Sequence, residues 1–273
     1  MEVITLQSGS SGNCVFVEAD GVRLLFDAGI SARQAELRLA QHGRDICDID
    51  ALVISHDHRD HSTGIGTFHR KFGLPVYVTA KTFQEVRRRI KIGPVSDLRH
   101  FVAGDTLSFG PVKVETHSTP HDAADGVVFV VEDSQHRFGL LTDLGHVFEG
   151  LGELMSTLDA VLIESNYDPD MLDRGPYPEF LKHRIRGPKG HLSNLDCAML
   201  LKKAVRDRLR WACLGHLSET NNDPEVAMRT HHEILGAEFP LRCADRKAAS
   251  TKMLIGDHQT DNPTWTRDAA RGT

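Results

Sequence analysis

The segment Ser55-His56-Asp57-His58-Arg59-Asp60-His61 directly follows the apolar run Ala51-Leu52-Val53-Ile54, and together they limit what this chain can fold into more than any other stretch. The run is short, branched and uncharged, which reads as a strand buried on both faces. The segment after it carries three imidazoles and two carboxylates within six residues. A solvated loop has no need of such a set, whereas a metal ion needs neutral nitrogen and anionic oxygen donors converging on one point. A strand end can supply them, because a loop there turns successive side chains inward without obeying strand alternation. His56 and His58 are two apart and face one side of an extended loop, which suits one metal. Asp60 and His61 follow a bend and can serve a second ion, about 3.5–4 Å away in two-metal hydrolases.

The rest of the chain reads as a scaffold for that loop. Short strands are predicted at Val3–Leu6, Val15–Glu18 and Val22–Phe26, with a Gly/Ser stretch from Ser8 to Asn13 between the first two. A helix is predicted over Ala32–Gln41, and after the histidine segment come helices at Thr63–Lys71 and Thr82–Ile90 around a strand at Pro75–Thr79. A second group of strands follows at Thr106–Phe109, Val112–Thr116, Gly126–Glu132 and Phe138–Thr142. The pattern then alternates: helix Leu151–Thr157, strand Asp159–Glu164, helix Leu195–Leu209, strand Arg210–Leu214 and helix Pro224–Leu235. Strand groups followed by βαβ alternation, twice over, predict an α+β chain of two mixed sheets packed face to face with helices outside. The 273 residues are expected to form one domain over residues 1–256, with a polar tail at 257–273.

Composition narrows the function classes. No apolar run approaches the roughly 20 residues of a membrane span, and the first residues lack the basic start and apolar core of a signal peptide, so a cytoplasmic protein is expected. The five cysteines are scattered and never spaced C-x-x-C, which excludes a disulfide framework and a thiolate zinc knuckle. A formal charge of −6 argues against electrostatic coating of nucleic acid, while leaving a local basic groove open. Histidine is the commonest metal ligand, so the positions of the 16 histidines carry more than their number.

The motif formed by His56, His58, Asp60 and His61 resembles the H-x-H-x-D-H signature of the metallo-β-lactamase superfamily. That resemblance implies the αβ/βα sandwich and a dinuclear site whose other ligands follow later strands. His121 in Thr119-Pro120-His121-Asp122-Ala123, Asp143 after Leu140-Leu141-Thr142, and His216 in Leu214-Gly215-His216-Leu217-Ser218 occupy those places. The implied arrangement has His56, His58 and His121 on one metal, Asp60, His61 and His216 on the other, and Asp143 between them. His117, four residues before His121, competes for its place. Asp27, in Leu25-Phe26-Asp27-Ala28-Gly29, matches a further strand-end motif and is expected to hold the ligand loop by hydrogen bonds.

Gly9-Ser10-Ser11-Gly12-Asn13, Glu164-Ser165-Asn166, Gly190-His191-Leu192-Ser193-Asn194 and Asn221-Asn222 extend the likeness to the WalJ/YycJ branch, from the N-terminus to about residue 250. The branch is associated with metal-dependent 5′→3′ exonuclease activity on DNA, which implies DNA as substrate and two divalent ions, Zn²⁺ or Mn²⁺ with Fe²⁺ also compatible. The implied mechanism has the two cations acidify a bridging water to hydroxide for attack on phosphorus, with Asp60 and Asp143 in the centre and His191 protonating the leaving oxygen. Tyr167 departs from the histidine expected after Glu-Ser-Asn. Ser193 or Asn194 caps the helix that follows His191, and both, with Ser10 and Asn13, are candidate substrate contacts.

Basic clusters lie at Arg87–Lys91, Lys182–Lys189 and Lys202–Arg210. In the last, Lys202, Arg206 and Arg210 share a helix face, which a solvated surface also explains. Lys182, Arg184 and Arg186 precede His191 and are the candidate DNA contacts, although no aromatic stacking series accompanies them in sequence. The same ligand set also supports hydrolysis of a small or cyclic phosphodiester or of a thioester. A non-catalytic metal-binding regulatory protein is the reading of a different class, and the complete ligand set counts against it. Oligomeric state is not legible.

Overall fold

A computed structural model describes residues 1–204 and 208–256. Six strands of the first sheet come in the opening third: β1 (Glu2–Gln7), β2 (Cys14–Ala19), β3 (Val22–Phe26), β4 (Ala51–Val53), β5 (Val76–Thr79) and β6 (Leu98–Phe101). The second sheet takes β7 (Thr106–Phe109), β8 (Val112–Ser118), β9 (Val127–Glu132), β10 (Arg137–Leu141), β11 (Ala160–Glu164), β12 (Trp211–Gly215) and β13 (Leu241–Cys243). Finally β14 (Met253–Leu254) returns to pair antiparallel with β1, giving spatial orders β14-β1-β2-β3-β4-β5-β6 and β13-β12-β11-β10-β9-β8-β7. The first three strands are an antiparallel meander, as are β7 to β10, while β3 to β6 and β10 to β13 run parallel.

Parallel neighbours require crossovers, and these are the helices. In the first half they are α1 (Ala32–Ala40), α2 (Arg59–Ser62), α3 (Ile65–Phe72) and α4 (Ala80–Arg89); in the second, α5 (Leu151–Ser156), α6 (Pro169–Arg174), α7 (Glu179–Arg186), α8 (Asn194–Ala204) and α9 (Pro224–Leu235). Strand alternation then sorts the apolar side chains into layers. Val15, Val17, Leu24, Phe26 and Val53 meet Val114, Phe129, Leu140, Leu162 and Trp211 between the sheets. The alternate residues Phe16, Leu25 and Leu52 face Ala35, Leu39 and Phe68 of the outer helices. Val161, Ile163 and Leu214 do the same against Met155, Leu200 and Ala227. Both faces of each central strand are therefore buried, as the uncharged runs predicted.

The expected sandwich is observed, with local differences. The helix expected over Thr63–Lys71 is observed over Ile65–Phe72, and a separate short turn at Arg59–Ser62, not foreseen, carries Asp60 and His61. The expected Leu195–Leu209 helix is observed over Asn194–Ala204. Arg206 and the tail at 257–273 lie outside the described residues. Edge strands β6, β13 and β14, and helices α6 and α7, escaped the sequence reading because each is short and carries weak periodicity. Among the described residues, no helix is long and apolar enough to cross a membrane.

Candidate metal centre

Strands β3, β4, β10, β11 and β12 end side by side at one rim of the sandwich. Immediately past their carboxyl ends stand Asp27, His56, Asp143, the terminal residue Glu164, and His216. Ligand sites in open parallel sheets form at this rim, because each strand must leave the layer there and aim a side chain outward. Asp27, Asp143 and His216 take the left-handed conformation, with φ of 64°, 57° and 54°. Non-glycine residues hold such angles only where the surroundings impose them, and such strain collects at functional sites.

The ligand loop is fixed from beneath. Asp27 accepts from the Ser55 amide at 2.8 Å and from Ser55 Oγ at 2.9 Å, and its Oδ2 takes His61 Nδ1 at 2.7 Å. That bond turns His61 Nε2 toward the centre. Asn13 Nδ2 reaches Asp60 Oδ2 at 3.3 Å and His61 Nε2 at 2.9 Å, and the Asn13 amide donates to the Asp60 carbonyl at 2.7 Å. Glycine is required at Gly29, since a Cβ there would lie 1.6 Å from the Asp60 carbonyl oxygen. Asp57 points away from the centre and ties the loop to its neighbours, accepting from the Ala124 amide at 2.8 Å and from Arg89 at 2.9 Å.

Two triples result. The donor atoms of His56, His58 and His121 lie within 4.8 Å of one another, as do those of Asp60, His61 and His216. Asp143 stands between, with Oδ1 3.4 Å from His121 Nε2 and Oδ2 3.1 Å from His61 Nε2. Both Asp143 oxygens and His56 Nε2 are buried without an aligned hydrogen-bond partner. Buried polar atoms are ordinarily satisfied, and a carboxylate with two orphaned oxygens among imidazoles suits a cation. The donor set thus fits metal binding.

His121 is aimed by its own Nδ1, which meets the Gly190 carbonyl at 2.9 Å. His117 lies back on β8 beside Glu115, at 3.4 Å, outside both triples. Glu164 organises the remaining wall. Its Oε1 lies 2.6 Å from His191 Nδ1 and 3.2 Å from His216 Nδ1, while Oε2 accepts from the Leu144 and Leu192 amides. This leaves His191 with Nε2 on the open side, one-fifth exposed.

Electrostatics follow from the crowding of carboxylates. Burial opposes the charge on Glu164, yet His191 and His216 hold its carboxyl down to about 2. Burial likewise opposes charging of His216, but the fields of Asp143, Asp60 and Glu164 lift it to about 10. His61 is raised by Asp143, Asp27 and Asp60 against the same penalty. His56 and His121 move the other way, lowered chiefly by burial. The centre is a sink for positive charge.

A family profile of the Beta-lactamase superfamily domain matches residues 22–217, and the exodeoxyribonuclease YycJ of Bacillus anthracis is 34% identical over 249 residues, 89% of this chain and 94% of that protein. The chain belongs to the metallo-β-lactamase superfamily. The exodeoxyribonuclease WalJ of Streptococcus pneumoniae is 37% identical over 227 residues, covering 82% of this chain and 84% of that one. Among solved structures, the metallo-beta-lactamase fold protein YhfI from Bacillus subtilis superposes with a TM-score of 0.70 at 16% identity, over 91% of this chain and 98% of that one.

On this metallo-β-lactamase scaffold a cavity of about 250 Å³ opens over the donor set, bordered by Ser10, His58, Asp60, Arg184, His191 and Ser218 among others. Of the candidate substrate contacts, Ser10 and Arg184 border this cavity. Other candidates are held elsewhere. Asn13 is buried and spent on the ligand loop. Ser193 caps α8, exchanging hydrogen bonds with Asp196, and Asn194 is buried against Ser165 and Asn222. Lys182 is buried with its ammonium 2.7 Å from the Asp173 carbonyl and 3.2 Å from Glu179. Arg186 pairs with Asp173. Helix α7 carries these two cations on the side turned to α6, which spacing alone does not reveal. Arg88 and Arg89 are engaged with Glu85, and Arg208 with Asp159.

The sequence reading assigned no role to Glu164 or Asp122. Asp122 lies 3.5 Å from both His58 Nε2 and His121 Nε2 and accepts from Arg184 at 2.6 Å. Glu164 did carry a signal, a carboxylate ending the apolar run Ala160-Val161-Leu162-Ile163, as Asp27 ends Leu24-Leu25-Phe26. Tyr167, where histidine was expected, packs with Leu172 and Ile185 beneath α6 and α7, and burial pushes its hydroxyl up to about 12.

Proposed function

We propose that this protein is a dinuclear metal-dependent phosphodiesterase acting on DNA as a 5′→3′ exonuclease. The observation that carries the reading is Asp143, whose two orphaned oxygens lie among donors of both triples, Oδ1 3.4 Å from His121 Nε2 and 3.5 Å from His216 Nδ1, and Oδ2 3.1 Å from His61 Nε2. Such a carboxylate suits a bridge between two ions, held by His56, His58 and His121 on one side and Asp60, His61 and His216 on the other. Zn²⁺ and Mn²⁺ both suit nitrogen and carboxylate donors, and Fe²⁺ is compatible. Divalent ions bound there supply Lewis acidity, making water nucleophilic near neutral pH and offsetting phosphoryl charge.

The chain's own groups supply the rest. Asp60 borders the cavity and is placed to take a proton from water. His191 is placed to give a proton to the leaving oxygen through Nε2, because Glu164 occupies its Nδ1. Ser10 and Arg184 border the space for the diester. DNA as substrate rests on the similarity to YycJ and WalJ, each named an exodeoxyribonuclease. The protein is a hydrolase by its relatives and family.

Purified protein with Mn²⁺ or Zn²⁺ should shorten end-labelled DNA from the 5′ end, and Asp143→Ala should abolish this. Rapid turnover of a cyclic diester or thioester without DNA cleavage under any metal would overturn the assignment. Equal rates for wild type and Asp143→Ala would mean that the protein itself does not cleave.

A further inference from the structure

The cavity over the donor set has two unlike walls. One is the cluster of imidazoles and carboxylates. The other is contributed by the region before and within α7: Tyr177, Leu181 and Ile185, with Arg184 at their edge. Leu181, Arg184 and Ile185 are spaced i, i+3 and i+4 and so share one helix face. Phe180 adjoins that face, four residues from Arg184, and is 75% exposed.

The wall is also built to stay in place. Tyr177 and Leu181 pack on a small cluster of Tyr167, Leu172 and Ile185, separate from the three layers of the sandwich. Polar ties hold the module to the rim: Asp168 N donates to the Asn221 carbonyl at 2.9 Å, and Arg184 Nε to Asp122 at 2.6 Å. A Cβ at Gly190 would lie 2.1 Å from the Ile185 carbonyl, so the strap returning to His191 is pressed against α7.

Resting on the exonuclease reading, we infer that Tyr177, backed by Leu181 and Ile185 and continued outside the cavity by Phe180 beside Arg184, forms a stacking wall for unpaired nucleobases flanking the scissile phosphate. A nucleotide has a charged end and a flat apolar end, which suit a polar and an apolar wall respectively. The cavity of about 250 Å³ opens to solvent between the two walls, so a nucleotide can enter it from a strand end. A base laid on the wall leaves its pairing partner, so the strand end unpairs before cleavage. Every base has a π-face, so the wall binds without sequence preference.

The test uses the wild-type chain, Tyr177→Ala and Phe180→Ala on single-stranded oligonucleotides whose residue on either side of the scissile bond is normal or an abasic tetrahydrofuran. Wild type should favour the base-bearing substrate in kcat/KM by roughly tenfold, mostly through KM, the size expected of one base stacked on an aromatic. Each alanine variant should collapse that ratio toward one, and Tyr177→Phe should restore it. Phe180 is exposed, so its variant tests the wall without risk to folding. Wild-type preference for an unpaired overhang over a blunt duplex end is a second expected result. Unchanged base-to-abasic ratios in variants of an active wild type overturn the stacking wall alone. Failure of the wild type to cut any DNA overturns the exonuclease reading, and the wall with it.

Discussion

At the scale of single residues, the centre works by aiming each imidazole from behind. His61 is held by Asp27, His121 by the Gly190 carbonyl, and His216 and His191 by Glu164. Removing such a partner typically costs about 10–100-fold in metal affinity or activity. Asp27→Ala is therefore expected to lower metal affinity by roughly that factor, read by competition with a chelating dye, while the fold survives. The rival histidines separate more sharply. His121→Ala should lose more than about 100-fold in activity, beyond the range for an outer partner, and one equivalent of bound metal. His117→Ala should match wild type in both, because its ring lies against Glu115. Equal losses from the two variants would contradict this assignment. The family resemblance favours His121, while spacing alone does not separate two histidines four residues apart; the turn after β8 carries His121 into the centre and leaves His117 on the strand.

At the scale of elements, α8 shows what already engages the polar residues near His191 that the sequence offered as substrate contacts. Ser193 accepts from the Asp196 amide at 3.1 Å, closing the first turn, and its backbone pairs with Tyr167. Ser193→Ala should cost about 1 kcal/mol, the usual value of an N-cap, seen as a lower melting temperature. If Ser193 contacted DNA instead, the variant would raise KM and leave stability untouched. Helices α6 and α7 were invisible to periodicity because they are short and their apolar residues serve a cluster of their own. The burial of Lys182 follows from the same packing, since its stem lies along that cluster while its ammonium finds a carbonyl. A basic run thus reads as a binding patch until the partner helix is in place.

At the scale of the molecule, the centre joins the two sheets. The ligand loop and Asp27 come from the first sheet, and His121, Asp143 and His216 from the second. Bound metal should therefore stabilise the whole sandwich. At about 1,000 times the dissociation constant the gain is about 4 kcal/mol, so chelation should lower the melting temperature by roughly 10 °C. An unchanged melting curve would argue against ligands drawn from both sheets. Global stability should also depend on His231, buried on α9 with Nδ1 2.8 Å from the Ala227 carbonyl and Nε2 without a partner. Burial lowers its pKa to about 4. The unfolded imidazole, with a value near 6.5, binds a proton more readily over that interval. Stability should fall as pH drops from about 6.5 to 4, by up to about 3 kcal/mol, and His231→Phe should flatten that slope in denaturant titrations. By itself, the sequence determined the central strands, their double βαβ alternation and the carboxylates and histidines that end apolar runs, because an ionisable group closing a buried strand is a local signal. The tertiary structure decided which polar groups face the centre, since those contacts join distant residues: His58 meets His121 across 63 positions, and Ser8 takes the His216 amide across 208. No spacing along the chain encodes which strand ends become neighbours at the rim; the packing of two sheets does.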